Sequence, residues 1–376
     1  MGIGSIPLIG ASPSILSPRI DCLFSNLSSI SFKRPPSKNV ARFASLFKSA
    51  SMSATLCKSA SSTLGSEVSD SQNAVGETDL LIVGPGVLGR LIAQQWREEH
   101  PGSQIYGQTL TTEHHDELNS LGIRAFTKDQ SVFPHYPYVI FCAPPSRNAD
   151  YAAEVRNSIS SWSGEGTFVF TSSSAPYDVN DNGPCDENSP VAPFGKNPRI
   201  DVLLSAEKEV IGKGGCVLRL AGLYKMDRGA HKFWLEKGTS DTRPDHVFNL
   251  IHYEDAASLC IAILKKKIRD RIFVGCDNHP VSRYLFHDAI KKSPCTTGFR
   301  YRQEAMDIVA KSGKFTPSFK GFTGSSDPLG KRLNNTRTRE ELGWQPKYQS
   351  FAEFLGVSTT QKSIHYNLDF KKVFPY

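Results

Sequence analysis

The chain has 376 residues, of which 39% are hydrophobic and 22% charged, and its formal net charge is +7. This composition excludes a fibrous or wholly disordered protein, and the length suffices for one large α/β domain or for two smaller ones. Because no uninterrupted apolar run approaches eighteen residues, the sequence predicts no transmembrane helix.

The first 66 residues differ in composition from the rest of the chain. They contain seventeen serines, seven basic residues and a single acidic residue, Asp21. This pattern is typical of an organellar transit peptide, and the uncharged first stretch favours the plastid (chloroplast) over the mitochondrion as its destination. A Ser-rich tail with no targeting role is the alternative. We therefore predict a leader over residues 1–75.

The positive charge is concentrated in this leader. Seven basic residues minus one acidic residue give +6 for the first 66 residues, which leaves about +1 for the remainder. A nearly neutral remainder lacks the basic surface that nucleic acid binding requires, so no nucleic acid partner is expected. The sequence carries no indication of an oligomeric state.

Beyond residue 78, short apolar runs alternate with amphipathic segments. This alternation predicts a doubly wound α/β fold, with a parallel sheet and helices on both faces. Residues 175–198, rich in Pro, Asn and Asp, are predicted to form a loop. The predicted strands are residues 78–83, 104–108, 123–126, 138–142, 167–170, 216–220 and 271–275, and the predicted helices are residues 88–98, 149–162, 200–211, 252–265, 282–291 and 336–342.

Six of the eight cysteines lie beyond the predicted leader. They form no CxxC pair and no Cys/His spacing of a metal site, so no metal is predicted, and several stand in apolar runs that predict buried free thiols. These cysteines are Cys142, Cys185, Cys216, Cys260, Cys276 and Cys295.

Residues 83–91, VGPGVLGRL, join the first predicted strand to the first helix. In a dinucleotide-binding loop of this spacing, Gly84 would make the tight turn, Gly86 would let the pyrophosphate approach, and Gly89 would let the helix pack on the strand. The N–H groups that open the helix attract the phosphates, so Val87 and Leu88 are also predicted to bind the cofactor. A purely structural turn between strand and helix is the alternative.

The end of the second predicted strand decides between NAD and NADP. An acidic residue there favours NAD, whereas residues 108–112, QTLTT, hold no acid before Glu113. The sequence therefore slightly favours NADP over NAD. Thr109 on this strand and Ala143 after the fourth strand complete the predicted cofactor-binding residues.

Five motifs follow one another from the fifth predicted strand onward. They are residues 168–177 (FVFTSSSAPY), 186–190 (DENSP), 218–224 (LRLAGLY), 250–257 (LIHYEDAA) and 339–346 (REELGWQP). In these motifs the chain resembles the extended short-chain dehydrogenase/reductases, also called NAD-dependent epimerase/dehydratases. Together the motifs and the glycine loop span residues 79–354, and their order is more specific than any one of them.

The resemblance implies a Rossmann sheet of strand order 3-2-1-4-5-6 plus one further strand, with a small C-terminal lobe that closes over the substrate. It places a Rossmann core at residues 76–225, a mixed region with the lobe at 226–360 and a tail at 361–376. It also implies a catalytic Ser or Thr at the end of the fifth strand, and Ser173 is the residue that matches. A turn residue that bonds its own backbone is the alternative for Ser173.

The family's Tyr-xxx-Lys pair is missing from the next helix. Alignment places Arg199 at the Tyr position and Leu203 at the Lys position, and neither side chain can exchange a proton near neutral pH. Arg199 is a candidate holder of a substrate carboxylate or phosphate, or a surface residue at a helix start. The chain thus resembles an atypical member of the family.

Two functions remain open at the level of sequence. The first is an NAD(P)-dependent oxidoreductase or epimerase-like enzyme that acts on a small molecule in the plastid. The second is a non-catalytic NAD(P)-binding regulatory or scaffold protein of the organelle. We interpret His252 and Asp255 as structural residues, and Tyr177, Tyr224 and Tyr253 as packing residues.

Overall fold

A computed structural model describes residues 75–128, 134–145, 150–240, 243, 245–282, 305–316, 318–325 and 328–358. The predicted leader up to residue 74, the predicted tail, Cys295 and all but the first residue of the predicted helix 282–291 lie outside these ranges.

The described residues form fifteen strands and nine helices. The strands are β1 (Leu80–Val83), β2 (Ile105–Thr109), β3 (Ile123–Thr127), β4 (Tyr138–Phe141), β5 (Phe168–Ser173), β6 (Asp181–Cys185), β7 (Cys216–Leu220), β8 (Gly222–Tyr224), β9 (Thr239–Ser240), β10 (Val247–Phe248), β11 (Leu250–His252), β12 (Arg271–Gly275), β13 (Val281–Ser282), β14 (Gly321–Phe322) and β15 (Gly330–Leu333). The helices are α1 (Val87–Glu99), α2 (His115–Ser120), α3 (Tyr151–Ile159), α4 (Pro198–Ile211), α5 (Ala230–Lys237), α6 (Tyr253–Lys266), α7 (Ala305–Ser312), α8 (Thr336–Leu342) and α9 (Phe351–Phe354).

Seven strands form the central sheet in the order β12-β7-β5-β4-β1-β2-β3. Every neighbouring pair runs parallel. The predicted order 3-2-1-4-5-6 plus one further strand is therefore confirmed, and so is the doubly wound α/β class. All side chains of β1 and β4 are buried, because a parallel sheet is covered by helices on both faces.

Helices cover the two faces of this sheet in pairs. Helices α1 and α6 pack together on one face, over a core cluster that includes Ile82, Ile140 and Leu218. Helices α3 and α4 pack together on the other face, over a cluster that includes Phe141 and Phe170. Successive strand residues therefore supply two separate apolar layers, as the alternation of side chains along a strand requires.

A third apolar cluster gathers the smaller elements after β7. It is built around Tyr224, Trp234 and Phe351 and takes in α5, α7 and α9. Next to it, a four-stranded sheet has the order β13-β10-β15-β6. No helix among the described residues is long and apolar enough to cross a membrane.

The predicted loop at residues 175–198 contains a strand, β6, which corrects the prediction. The sequence of β6, DNGPC, holds Gly and Pro, residues that are depleted from strands. Pro184 is tolerated because β6 lies at the edge of its sheet, where proline is accepted.

The prediction of buried free thiols is confirmed for four cysteines. Cys185, Cys216, Cys260 and Cys276 are buried and free, and Cys142 is free but half-buried.

Candidate functional site

Several predicted site residues meet at one edge of the central sheet. Gly84, Thr109, Ala143 and Ser173 stand at or just after the carboxyl ends of β1, β2, β4 and β5. Since parallel strands end at a common edge, these residues border the crevice in which doubly wound folds bind their ligands.

The three glycines of the first loop each meet a different steric demand. Gly84 has a φ of +78°, and a Cβ added to it would lie 2.7 Å from the Cα of Ala143. A Cβ on Gly89 would lie 2.9 Å from the Cγ2 of Ile82, so the missing side chain lets α1 pack on β1. A Cβ on Gly86 would meet only the carbonyl oxygen of Gly84, at 4.0 Å, so Gly86 faces open space.

Helix α1 begins at Val87, directly after Gly86. No side chain caps its N-terminus, and no acidic residue stands in its first turn. The N-terminal N–H groups of a helix and its dipole attract an anion, and the first turn here includes Val87 and Leu88. The loop therefore has the geometry that a pyrophosphate requires.

Thr109 is engaged within the protein. Its hydroxyl lies 2.8 Å from the carbonyl oxygen of Thr111, 3.2 Å from that of Phe126 and 2.7 Å from the Nε2 of His115. The hydroxyl of Thr109 therefore holds the segment that follows β2. Any contribution of Thr109 to binding a ribose would be indirect, through the position of that segment.

The charged groups near the end of β2 escaped the sequence analysis. Arg90, which follows Gly89, forms a two-pronged ion pair with Glu117 of α2, with N–O distances of 2.5 and 3.0 Å. The Nδ1 of His114 lies 3.4 Å from the same carboxylate. The signal that could have pointed to Arg90 is its position one residue after the third glycine.

The strand-end serines all have partners. The Oγ of Ser173 accepts the N–H of Ala175 at 3.1 Å, which is the turn geometry predicted as its alternative role. The hydroxyl of Ser172 donates to Glu207 at 2.6 Å, and the N–H of Ser174 donates to Leu220. The half-buried Ser173 keeps its hydroxyl hydrogen available to a ligand.

A buried ion pair contacts these serines through the hydrogen bond from Ser172 to Glu207. Glu207 of α4 and Arg219 of β7 are both about 5% exposed and meet at 2.6 Å. The guanidinium of Arg219 also lies 4.5 Å from the ring centre of Tyr177. Burial raises the pKa of Tyr177, so this tyrosine stays un-ionised and serves in packing.

Helix α4 does not rebuild the missing proton-exchanging pair. Arg199 is exposed in its first turn, where its N–H donates to the side chain of Asn197 at 3.0 Å. Leu203 packs against the core cluster beneath α4. The two aligned positions thus hold a surface cation and an apolar contact.

A lysine from β15 reaches the same strand end and was missed by the sequence analysis. The ammonium of Lys331 donates to the carbonyl oxygens of Ser174, at 3.2 Å, and of Tyr177. No motif marks Lys331, because it comes from a segment more than 150 residues further along the chain.

Among the described residues, no group of three or more His, Cys, Asp or Glu could hold a metal ion.

No family model and no curated protein sequence matches the chain. Solved structures match it well in fold. A conserved protein of unknown function from Silicibacter pomeroyi is 21% identical, with a TM-score of 0.56 over 74% of this chain and 96% of that one.

Two enzymes with the same architecture are more distant in sequence. The UDP-glucose 4-epimerase of Thermotoga maritima, solved with UDP-glucose, is 17% identical, with a TM-score of 0.53 over 74% of this chain and 96% of that one. The dTDP-glucose 4,6-dehydratase of Bacillus anthracis, solved with NAD, is 13% identical, with a TM-score of 0.54 over 74% and 94%. The chain therefore has the Rossmann-like fold of these nucleotide-sugar epimerases and dehydratases.

Proposed function

We propose that the protein is an NAD(P)-binding oxidoreductase or epimerase-like enzyme that acts on a small molecule. The observation that carries this proposal is the open N-terminus of α1 behind Gly86, at the carboxyl edge of a doubly wound sheet. A dinucleotide laid across this edge would bring its nicotinamide towards the ends of β4 and β5, where Ser173 stands. When bound, the cofactor would supply the hydride chemistry.

Sugar nucleotides are the first class of substrate to test. The structural neighbours include the UDP-glucose 4-epimerase and the dTDP-glucose 4,6-dehydratase, and the dehydratase was solved with NAD. The contribution of this chain would be the hydroxyl of Ser173, held in place by its turn with Ala175 and able to donate to a substrate oxygen.

A non-catalytic role is the second candidate. This candidate is supported by two residues of α4: the exposed Arg199 and the packed Leu203 stand where the family has its Tyr and Lys. In that case the dinucleotide would order the protein for a partner, and no hydride would be transferred.

NADP is the cofactor that we favour. The chain after β2 offers no acid to the ribose hydroxyls before the exposed Glu113, while the guanidinium of Arg90 lies beside α2, the helix that follows β2. The carboxylate partner of Arg90, Glu117, is half exposed and would compete with a 2′-phosphate for it. The preference for NADPH would therefore depend on how readily the 2′-phosphate displaces Glu117 from Arg90.

The test is a calorimetric titration of the full chain with NADPH and NADH separately. Tighter binding of NADPH supports the proposed cofactor. Stereospecific hydride loss from labelled NADPH on a panel of sugar nucleotides and carbonyl compounds supports the enzyme, whereas binding without turnover supports the regulatory role. Binding of neither cofactor to the folded chain rejects both.

We also propose the plastid as the site of action, from the composition of residues 1–75. Fusing these residues to a fluorescent protein and incubating the fusion with isolated chloroplasts and mitochondria tests this proposal. Import into mitochondria alone, or into neither organelle, would contradict it.

A further inference from the structure

Lys331 brings a positive charge to the carboxyl end of β5. Its ammonium donates to the carbonyl oxygens of Ser174 and Tyr177, which directly follow Ser173. It is half-buried, so its outer side remains accessible to a ligand.

The backbone around Lys331 is held on both sides by one asparagine. The side-chain amide of Asn249 donates to the carbonyl oxygen of Lys331 at 2.9 Å, and its oxygen accepts the N–H of Leu333 at 2.9 Å. Upstream, the N–H of Leu329 donates to the carbonyl oxygen of Asn180. These bonds hold the backbone of Lys331, and the two carbonyl contacts hold its ammonium, before any ligand binds, which lowers the entropic cost of binding.

No carboxylate in the described part of the chain lies within 4 Å of the Nζ of Lys331, and the acid that acts on its charge from further away, Asp178, pairs with Lys196. The neighbouring Arg219, in contrast, is neutralised by Glu207. Burial is the main cause that lowers the pKa of Lys331. An ammonium has three N–H donors, and two of those on Lys331 are directed to carbonyl oxygens, so one remains.

We propose that Lys331 binds an anionic group of the substrate, a carboxylate or a phosphate, beside Ser173. A lysine acts as a point charge towards such groups, and partial burial strengthens the attraction. The proposal rests on the proposed function in one respect, that the bound anion belongs to the substrate. It adds a site residue from β15 to those of the Rossmann core and names the chemistry of the ligand.

Selective labelling of the full chain tests the site directly. Pyridoxal 5′-phosphate, an aldehyde that carries a phosphate, is reacted with the lysines, reduced with borohydride and located by peptide mapping. We expect Lys331 to react faster than the exposed Lys213, because burial lowers the pKa of Lys331 and a bound phosphate would hold the aldehyde of the reagent next to its amine. Inorganic phosphate or malonate should slow the labelling of Lys331 and leave that of Lys213 unchanged.

The two competitors distinguish the two forms of the ligand. Protection by phosphate alone indicates a phosphorylated substrate, and protection by malonate alone indicates a carboxylate. Labelling of Lys331 no faster than that of Lys213, or protection by neither anion, would overturn the proposal.

Substitutions distinguish a lysine that binds an anion from one that only holds the carbonyl groups of Ser174 and Tyr177 in place. In the Lys331→Met variant, the rise in Tm that phosphate or malonate gives should shrink, whereas Lys331→Arg should keep most of it and Lys213→Met all of it. An equal loss of intrinsic Tm in Lys331→Met and Lys331→Arg, with the anion effect unchanged in both, would contradict the assignment.

The same variants distinguish this proposal from the proposed function. Lys331→Met should leave the affinity for NADPH unchanged, because the pyrophosphate site lies at α1. If the wild-type chain bound no dinucleotide but Lys331 were still protected by an anion, the proposed function would fall and the anion site would stand.

Discussion

Gly84 and Ala143 are in direct backbone contact across the ends of β1 and β4. A Cβ on Gly84 would lie 2.7 Å from both the Cα and the N of Ala143, and the φ of Gly84 is +78°. The contact joins the two strand ends that border the proposed pyrophosphate site. Steric demand and backbone conformation therefore both require glycine here.

The first prediction separates these two requirements. The Gly84→Ala substitution should lower the free energy of unfolding by about 3 kcal/mol or more, since strain at positive φ adds to the clash. The matched control is Gly164→Ala, at a φ of +86° with no atom within 4 Å of the added Cβ. Strain alone should cost this control about 1–2 kcal/mol. Urea unfolding measures both, and equal losses would mean that Ala143 yields to the added methyl group.

The second prediction concerns Gly86, which faces open space. The Gly86→Val substitution should abolish NADPH binding, because the new side chain would occupy the volume that the pyrophosphate needs. Loss of a good N-cap residue should lower stability by only about 1 kcal/mol. Calorimetric titration gives the affinity, and thermal unfolding verifies that the fold is intact. An unchanged affinity would mean that the loop serves only as a turn.

The strands of the central sheet and the glycine loop were predictable because they depend on local patterns, whereas the order of the strands was implied by the resemblance to the extended short-chain dehydrogenase/reductases. The strands of the central sheet are short apolar runs separated by helices, and the three glycines stand at fixed spacing within residues 83–91. Even here the bounds shifted: β5 extends to Ser173, three residues beyond its prediction, because pairing with β7 continues that far.

The residues that the sequence analysis missed depend on long-range pairing. Lys331 reaches Ser174 only because β15 pairs with β6, a strand whose Gly and Pro predict a loop. Likewise, Arg90 meets Glu117 across 27 residues, on a helix of six residues that is too short for its periodicity to be recognised. No spacing in a single sequence encodes such contacts.

The third prediction concerns the buried pair beneath the serines. The Glu207→Gln substitution should lower the free energy of unfolding by about 3–5 kcal/mol, because it leaves the charge of Arg219 buried without a partner. The double variant Glu207→Leu with Arg219→Met should recover much of that loss. Glu209, two residues further along α4, pairs with Arg156 at the surface, and Glu209→Gln should cost less than about 1 kcal/mol. Similar losses at both glutamates in urea unfolding would contradict the prediction.

The fourth prediction is a dependence of stability on pH through His252. Burial lowers the pKa of this histidine to about 4. Its Nδ1 accepts the N–H of Glu254 at the start of α6, and its ring contacts Tyr348 and Phe354. Protonation therefore favours the unfolded chain, in which the histidine has its ordinary pKa near 6.5. Its contribution to stability is present above pH 6.5 and is lost as the pH falls towards 4.

The His252→Asn variant tests this linkage, since asparagine can still accept the N–H of Glu254 but does not titrate. Lost ring packing should lower its stability at every pH by a constant amount. Its free energy of unfolding should also fall less steeply between pH 6.5 and 4 than that of the wild type, by up to about 1.4 kcal/mol per pH unit for one proton. Parallel pH profiles for wild type and His252→Asn would reject the linkage.

The fifth prediction concerns the choice between NADPH and NADH. Glu117 holds Arg90 through two hydrogen bonds, so a 2′-phosphate must displace it to reach the guanidinium. The Glu117→Gln substitution removes the competing charge and should tighten NADPH binding by about 1 kcal/mol, or several-fold in Kd, with little change for NADH. Glu98→Gln, at the far end of α1, should change neither affinity. Calorimetric titrations with both cofactors measure the ratio, and an equal change for NADPH and NADH in Glu117→Gln would place the 2′-phosphate away from Arg90.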